Sequence, residues 1–203
     1  MAQKSKYHHG DLRSALLEAG EQVLADKGIE GFTLRSVARA AGVSHSAPAH
    51  HFKSVNDFFA ALTAQSFQRL RDQLKEARKE NEQSSPAERI QAVLRAYFHY
   101  AQKHPQSFRL MFRFNTLGHE DEQVMQIARD AFIELIEVIC EFHQGDIDFD
   151  AEQNKANILM LWSLVHGYTH LELEGQLDSS DYFGGAEKIK RLANMIGRVL
   201  TLL

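Results

Sequence analysis

Apolar side chains recur every three or four residues along most of this chain, which is the period of an amphipathic helix. No stretch alternates apolar and polar residues as a half-buried strand does, so the pattern predicts an all-α fold. Capping boxes are predicted at Ser54–Asp57 and at Ser85–Glu88. Nine helices are predicted, at about residues 11–27, 34–41, 44–51, 55–79, 86–103, 105–115, 121–142, 150–174 and 186–202.

The stretch from Thr33 to Phe52 predicts two short helices joined by a tight turn. One face of the first helix is apolar, and Thr33 precedes this helix as an N-cap. Gly42 ends it, where a residue that can take a positive φ is favoured. This arrangement is typical of a helix-turn-helix unit, whose second helix can enter the major groove of DNA. The alternative is a helical hairpin with no role in DNA binding.

Pro48 complicates the second short helix. If Ser44 caps this helix, Pro48 stands at its fourth position, where a proline removes the first intrahelical hydrogen bond and crowds the capping carbonyl. Either the helix begins one or two residues later, or its first turn is tightened or irregular. Both outcomes change which side chains within 44–51 face DNA.

The same stretch resembles the TetR family of bacterial regulators. The family pattern T-x-R-x-[IV]-A-x-x-A-G-V-S, followed by a short recognition helix ending in [HY]-[HY]-F, is met at Thr33, Arg35, Val37, Ala38, Ala41, Gly42, Val43, Ser44, His50 and Phe52. The resemblance extends over residues 11–70 and implies DNA binding. One position departs from it, because the family usually has a phosphate-contacting Tyr where this chain has Ala49.

The resemblance and the helix-turn-helix pattern together imply a set of DNA contacts. Backbone phosphates are expected to bind at the start of the first motif helix, at Thr33, Arg35 and Ser36. Base edges are expected to meet the second helix at Ser44, His45, Ser46 and Ala47, with a methyl contact from Ala47. Further phosphate contacts are expected from His50, His51 and Lys53. Phosphate contacts make binding fall steeply with salt.

Charge and composition predict three parts along the chain. These are a DNA-binding head at 1–54 with its motif at 33–52, a connecting helix at 55–80, and an effector-binding and dimerisation domain at 81–203. Residues 1–56 carry seven Lys and Arg against five Asp and Glu, whereas the remainder carries sixteen against twenty-two. Only the N-terminal part is therefore suited to phosphates. The polar stretch 81–85 is the expected linker.

The last two predicted helices are long, apolar over broad faces and adjacent in the chain. A two-fold dimer could span DNA half-sites one helical turn apart, which a single helix-turn-helix unit cannot do. In TetR-type proteins the corresponding helices meet their twin as a four-helix interface. A homodimer is therefore expected, with its interface at Leu161, Val165, Tyr168, Leu192, Ile196 and Val199. The alternative is that both helices are buried within one chain.

The run from Leu161 to Gly167 resembles the W-x-x-x-H-G signature of one subgroup of TetR C-terminal domains. Aromatic residues together with a Met give an adaptable apolar lining for a small effector. The expected pocket residues are Phe67, Tyr97, Phe98, Phe108, Met111, Phe112, Phe132, Trp162 and His166. Of these, Tyr97 and His166 could orient a polar group of the ligand. The alternative is that these side chains only pack in the core.

Catalytic and metal chemistry find little support in the sequence. The chain has no G-x-S-x-G, no P-loop and no G-x-G-x-x-G, so neither an enzyme nor a cofactor is expected. His166 and His170 stand four residues apart, as two metal ligands would, but no H-E-x-x-H accompanies them. The single cysteine, Cys140, excludes an internal disulfide and suits a reducing compartment.

Membrane and secretory segments are not expected either. No stretch reaches the roughly 18 uninterrupted apolar residues of a membrane helix. The first residues lack the apolar region of a secretory signal. A cytoplasmic protein with no membrane partner is therefore expected.

The sequence as a whole predicts a homodimeric regulator that binds a palindromic operator in double-stranded DNA and acts as a repressor. A small apolar or aromatic effector would favour a spacing of the two heads that mismatches the half-sites. The charged helix 55–79 would transmit this change. The alternative is a small-molecule binding protein with a vestigial DNA-binding head.

Overall fold

The computed structural model describes residues 9–114, 121–142, 152–178 and 187–202, with side chains from residue 12 onward. These ranges contain helices and turns but no β-strand, which confirms the predicted all-α class. The α-helices are α1 (His9–Lys27), α2 (Leu34–Ala40), α3 (Val55–Glu80), α4 (Pro86–Lys103), α5 (Pro105–Arg113), α6 (Glu122–Phe142), α7 (Glu152–Leu173) and α8 (Lys188–Leu200). The ninth predicted helix, at 44–51, is replaced by a 3₁₀ turn at Ala47–His50.

The chain packs into two compact units that are not contiguous in sequence. The first unit is Met1–Ser66 together with His104–Met125, and the second is Phe67–Lys103 together with Gln126–Leu203. The parts predicted from the sequence followed chain order instead. In the structure α3 is shared between the units, and α5 groups with the N-terminal segment. Periodicity within single helices carries no information about such a grouping.

In the first unit the ring of Phe58 packs among side chains from three parts of the chain. Its centroid lies 4.3 Å from that of Phe52 and 5.4 Å from that of Phe32. On α1, a Cβ added at Gly20 would come within 2.3 Å of the Phe58 ring. The helix α1 can therefore pack this closely only because residue 20 has no side chain. The same core fully buries Leu16, Leu24 and Val37.

The second unit is built around α4, which packs against both α7 and α8. The buried face of α4 carries Ile90, Val93, Leu94, Tyr97, Phe98 and Ala101. Leu161 and Val165 on α7, and Leu192 and Ile196 on α8, have no exposed surface at all. Between these last two helices, the hydroxyl of Tyr168 donates a 2.8 Å hydrogen bond to the backbone carbonyl of Lys188.

This burial corrects the predicted dimer interface. Leu161, Val165, Leu192 and Ile196 are 0% exposed and Tyr168 is 5% exposed within a single chain, so none of these side chains presents a free surface to a twin. For these residues the alternative, burial within one chain, holds. Val199 is half-buried. Spacing could not separate the two cases because α7 has apolar residues on all its sides.

Ion pairs join the end of α3 to α6 in the second unit. Arg78 pairs with Glu134, Glu137 and Glu141, which follow each other at helical spacing on α6. Glu134 is buried, and its desolvation raises the pKa of its carboxyl group, although the charge of Arg78 opposes this rise. Removing the guanidinium would leave a buried carboxylate without its main cation, which is costly.

Arg89 on α4 fixes the loop between α3 and α4. Its guanidinium forms a 2.7 Å ion pair with Glu141. It also donates hydrogen bonds to the backbone carbonyls of Asn81, Glu82 and Ser84. The stretch 81–85, predicted as a linker, is therefore held within the second unit.

Both predicted capping boxes are present at the starts of α3 and α4. The amide of Asp57 donates to Ser54 Oγ at 3.1 Å. The amide of Glu88 donates to Ser85 Oγ at 3.4 Å, and Ser85 returns a 2.9 Å bond from its own amide to the Glu88 carboxylate. These bonds satisfy amide groups that the first turn of a helix otherwise leaves without a partner.

Replacing Gly20 with alanine should destabilise the protein. Glycine to alanine inside a helix normally stabilises, but here the new methyl would overlap the fully buried ring of Phe58. We expect a loss of about 1–3 kcal/mol in the free energy of unfolding, measured by urea denaturation.

The matched control is Gly197→Ala on α8. A Cβ at residue 197 meets its nearest neighbour, Gln91 Nε2, at 3.8 Å, which is an ordinary contact. This variant should keep or slightly raise the free energy of unfolding. Equal stability of Gly20→Ala and the unsubstituted protein would show that the contact with Phe58 does not limit the approach of α1.

Candidate nucleic-acid interface and aromatic cluster

The helix α2 begins at a closed capping box. Thr33 Oγ1 accepts from the amide of Ser36 at 3.1 Å, and Ser36 Oγ accepts from the amide of Thr33 at 3.3 Å. This confirms Thr33 as the predicted N-cap. The hydroxyl of Ser36 also donates to the Thr33 carbonyl at 2.8 Å, and the residue is buried. Ser36 therefore serves the cap, which corrects its predicted contact with a phosphate.

A tight reversal follows α2 at Gly42. This glycine has φ +68°, as its predicted role requires. Its amide donates to the Arg39 carbonyl at 3.2 Å, and the amide of Val43 donates to the Ala38 carbonyl at 3.0 Å. These two bonds form a Schellman motif, which closes the end of a helix and reverses the chain.

The second motif element is a single 3₁₀ turn. The amide of Ala49 donates to the Ser46 carbonyl at 3.1 Å, and the amide of His51 donates to the Pro48 carbonyl at 3.0 Å. Of the two outcomes open for Pro48, the tightened turn is the one found. Ser44 does not cap this turn, since its hydroxyl lies 3.2 Å from that of Ser46. The N-cap is Ser46, which makes no side-chain capping bond.

The outer side of this motif is polar. Eight of its residues are exposed, namely Thr33, Arg35, Ser44, His45, Ser46, Ala49, His50 and Lys53, and His51 is half-buried. Ala47 and Pro48 are buried, so the methyl group of Ala47 packs inward. This corrects the base contact predicted for Ala47. The exposed methyl group of the turn belongs to Ala49 instead.

Arg13 is a cation at this surface that the sequence did not single out. Its guanidinium carbon lies 5.3 Å from the centre of the Phe52 ring, a cation–π distance. The residue is exposed on α1, immediately next to the end of the 3₁₀ turn. The helix α1 was interpreted only by its apolar face, and the polar face has no period that indicates a contact with residue 52.

Aromatic rings from α4, α6 and α7 meet in the second unit. We call the group formed by Tyr97, Phe132, Trp162, His166 and His170 the aromatic cluster. The centroid of Trp162 lies 5.1 Å from that of Phe132 and 5.6 Å from that of His166. The rings of His166 and His170 are 4.5 Å apart and nearly perpendicular. Four of the residues predicted to line a pocket therefore lie together, with His170 added.

Hydrogen bonding and burial set the charge of this cluster. The hydroxyl of Tyr97 lies 2.8 Å from His166 Nδ1. Burial raises the pKa of Tyr97, so this phenol keeps its proton and donates it to the ring nitrogen. Burial also lowers the pKa of His166 to about 4, and His170 lowers it further. At neutral pH, His166 is therefore an uncharged acceptor for Tyr97.

The other predicted pocket residues do not join the aromatic cluster. Phe67 and Phe98 are buried in the second unit, and Phe98 packs 5.7 Å from Tyr168. Three more belong to the first unit, where Phe108 and Met111 are buried and Phe108 packs 4.9 Å from Phe112. For Phe98 and Phe108 the packing alternative describes the structure, because neither has exposed surface.

Two other kinds of site were sought in the part of the chain that the structure describes. Within it, no group of three or more His, Cys, Asp and Glu side chains is placed to hold a metal ion. Its helices also include none that combines the length and the apolar character needed to cross a membrane. His166 and His170, the pair considered as metal ligands, belong to the aromatic cluster.

The outward sides of α7 and α8 carry apolar residues that a single chain leaves uncovered. Leu171 on α7 is 47% exposed, and Met195 on α8 is 37% exposed. Gly167 and Leu171 lie one turn apart on one side of α7, and a Cβ at Gly167 would meet nothing within 4 Å. This side of α7 is open to close approach by another helix.

Two family models match the chain, and together they cover most of it. The model described as "Bacterial regulatory proteins, tetR family" matches residues 16–62, which include the capping box, the Schellman turn and the 3₁₀ turn. The model described as "Tetracyclin repressor-like, C-terminal domain" matches residues 90–188, which include the aromatic cluster.

Curated relatives and a solved structure agree with these models. The HTH-type transcriptional regulator BetI of Rhizobium meliloti is 30% identical over 115 residues, which span 57% of this chain and little more than half, 56%, of that regulator. BetI of Cronobacter sakazakii is 26% identical over 166 residues, 81% of each chain. A protein of unknown function from Rhodococcus sp. RHA1 has a similar structure, with a TM-score of 0.76, 28% identity, and coverage of 96% of this chain and 98% of that one.

Replacing His166 with asparagine should flatten the acid side of the stability profile. Burial lowers the pKa of His166 to about 4 from the ordinary 6.5, so the unfolded chain takes up this proton more readily than the folded protein does. The free energy of unfolding should therefore fall as pH falls from about 6.5 toward 4, and His166→Asn should lose less over this range.

Urea denaturation at several pH values measures this difference. The control is His99→Asn, because His99 is an exposed histidine on α4 and should leave the profile unchanged. Parallel profiles for His166→Asn and the unsubstituted protein would contradict the burial of a neutral His166.

Proposed function

Since the chain belongs to the TetR family of bacterial regulatory proteins, we propose that it is a cytoplasmic repressor that binds a palindromic operator as a homodimer. A small apolar or aromatic effector releases it from the DNA. The observation that carries this proposal is the polar outer side of the motif, where a capped helix and a 3₁₀ turn present hydroxyl, imidazole and cationic groups together.

Phosphate contacts come from both ends of the motif. Thr33 and Arg35 stand at the N-terminal end of α2, where the helix dipole also favours an anion. His50, His51 and Lys53 form the second group after the 3₁₀ turn. Arg13 adds a cation beside this group, held over the ring of Phe52. Such contacts set the register of the protein on the duplex without reading its sequence.

Base edges are read from the segment before and within the turn. Ser44, His45 and Ser46 are exposed and carry donors and acceptors suited to the major groove. Ala49 offers the methyl group that Ala47, which is buried, cannot. A 3₁₀ turn is shorter and tighter than a recognition helix, so few side chains enter the groove. Specificity therefore depends on two half-sites bound by one dimer.

The dimer forms through the uncovered sides of α7 and α8. Gly167 and Leu171 on α7, with Met195 on α8, replace the buried residues predicted from the sequence. A twin packed here would cover side chains that are left 47% and 37% exposed in one chain. Val199 is half-buried and remains part of this proposed interface.

The effector binds in the C-terminal part of the chain, at the aromatic cluster. Four of the predicted pocket residues meet there, and all of them except Tyr97 keep exposed surface. Effector binding shifts the population toward a spacing of the two heads that mismatches the half-sites. The helix α3, with residues in both units, transmits this change.

The second candidate function is a small-molecule binding protein whose DNA-binding head is vestigial. Ala49, in place of the family's tyrosine, is the observation that favours it. Strong ligand binding without specific DNA affinity would support this candidate. A gel shift with DNA upstream of the protein's own gene, with scrambled competitor, separates the two functions.

Arg35→Ala should weaken binding to every duplex by a similar factor. Loss of one phosphate contact reduces the slope of log affinity against log salt by about 1. His45→Ala should instead reduce discrimination between operator and scrambled duplex, by about 1–3 kcal/mol, because a base contact is lost. Fluorescence anisotropy titrations at several salt concentrations measure both quantities.

The control for these two variants is Lys103→Ala, which removes an exposed cation from the second unit. It should change neither the slope nor the discrimination. An unchanged salt slope for Arg35→Ala would remove Arg35 from the set of phosphate contacts. Unchanged discrimination for His45→Ala would do the same for the base contact.

The double variant Leu171→Glu, Met195→Glu should sediment as a monomer. Both side chains are exposed in one chain, so the fold tolerates the charges, but a twin packed on them would bury two unpaired carboxylates on each side. The control is Ile133→Glu on α6, which charges another exposed apolar residue, 44% exposed, and should leave the dimer intact. A dimeric double variant would place the interface elsewhere.

A further inference from the structure

The aromatic cluster has a buried floor and an accessible rim. Tyr97 is 1% exposed, whereas Phe132, Trp162, His166 and His170 are all half-buried. Aromatic side chains gain most when their faces are covered, and a contiguous group of partly covered rings is apolar surface that a ligand can cover. The three helices that supply these rings belong to one unit, so the surface does not depend on any other part of the chain.

Helical spacing on α7 extends this surface. Leu159, Trp162, His166 and His170 follow each other at steps of three and four residues, which places them along one side of the helix. Leu159 is 56% exposed, so it adds an aliphatic edge beside the rings. A flat ligand could therefore lie along α7, with Phe132 of α6 packed against Trp162.

The surroundings of His166 disfavour charge. Burial is the main reason that this ring gives up its proton, and a charged group of a ligand at the same place would pay a similar desolvation cost. A cation would also meet the repulsion that His170 already exerts on a protonated His166. An anion would find no positive charge on His166, which accepts a hydrogen bond from Tyr97 instead.

We infer that the effector is an uncharged aromatic compound that stacks on the aromatic cluster, and that the cluster rejects charged analogues of the same shape. This inference rests on the proposed function, because it names the chemical class of the effector in that proposal. Selectivity follows from burial and from the neutral Tyr97–His166 pair, and no metal or cofactor takes part in it.

The chain supplies its own reporter for this inference. Trp162 is the single tryptophan, so tryptophan emission from the full-length protein comes from the aromatic cluster alone. Three probes of one shape differ only in charge at pH 7, namely 1-naphthol, 1-naphthoate and 1-naphthylmethylammonium. We expect 1-naphthol to quench Trp162 at a concentration at least about tenfold lower than either charged probe. Calorimetry of the same titrations checks each affinity without an optical signal.

Matched variants on α6 locate the binding surface. Phe132→Leu keeps an apolar side chain but removes the ring beside Trp162, and it should weaken 1-naphthol binding about tenfold. Ile133→Leu changes the next residue, which is exposed and outside the aromatic cluster, and it should leave the affinity unchanged. Circular dichroism of both variants confirms that the helices are retained.

Binding and DNA release are measured separately, so that the inference and the proposed function can fail independently. Equal or tighter binding of a charged probe, or no effect of any probe on Trp162, overturns the inference. Binding of 1-naphthol that Phe132→Leu weakens and Ile133→Leu does not supports it. If bound 1-naphthol leaves the affinity for an operator duplex unchanged, the selectivity stands and release by an effector at this site fails. Release of DNA by a charged compound that leaves Trp162 emission unaltered overturns the inference while the regulator function stands.

Discussion

The packing of one buried ring, Phe58, fixes the surface proposed to meet DNA. This ring occupies the space that Gly20 leaves on α1, and it lies against Phe32 before α2 and Phe52 after the 3₁₀ turn. Both motif elements are thus anchored on their inner side by the same contact. Their outer sides can be entirely polar, because the free energy of packing comes from the inner side. DNA recognition requires this division, since contacts with phosphates and bases demand a fixed distance between elements.

Features decided within four or five residues can be predicted from the sequence. The N-cap at Thr33, the positive φ of Gly42 and the two capping boxes are of this kind, because each is a short-range hydrogen bond or a single backbone conformation. The all-α class follows for the same reason, since every helix shows its own period. Pro48 also indicates a local conflict, but its resolution as a 3₁₀ turn depends on packing that the sequence does not show.

Features decided by distant residues cannot be predicted in this way. Ser36 and Ala47 match the pattern of DNA-contacting positions, yet the core of the first unit buries both. On α7, apolar residues on every side conceal which side the chain covers for itself, so the interface was assigned to the inner residues. The aromatic cluster is a mixed case. Its ring types could be named from composition, whereas the neutral state of His166 needs the burial and the hydroxyl of Tyr97.

The loop 81–85 has the composition of a site that tolerates insertions and protease cleavage, but its contacts do not fit that description. The guanidinium of Arg89 holds three of its carbonyl groups while pairing with Glu141. Lysine could not replace it, because an ammonium group lacks the planar fork that reaches several acceptors at once. An engineer who wishes to fuse a reporter into this protein should therefore avoid the loop, since added residues would pull apart a joint that α3, α4 and α6 share.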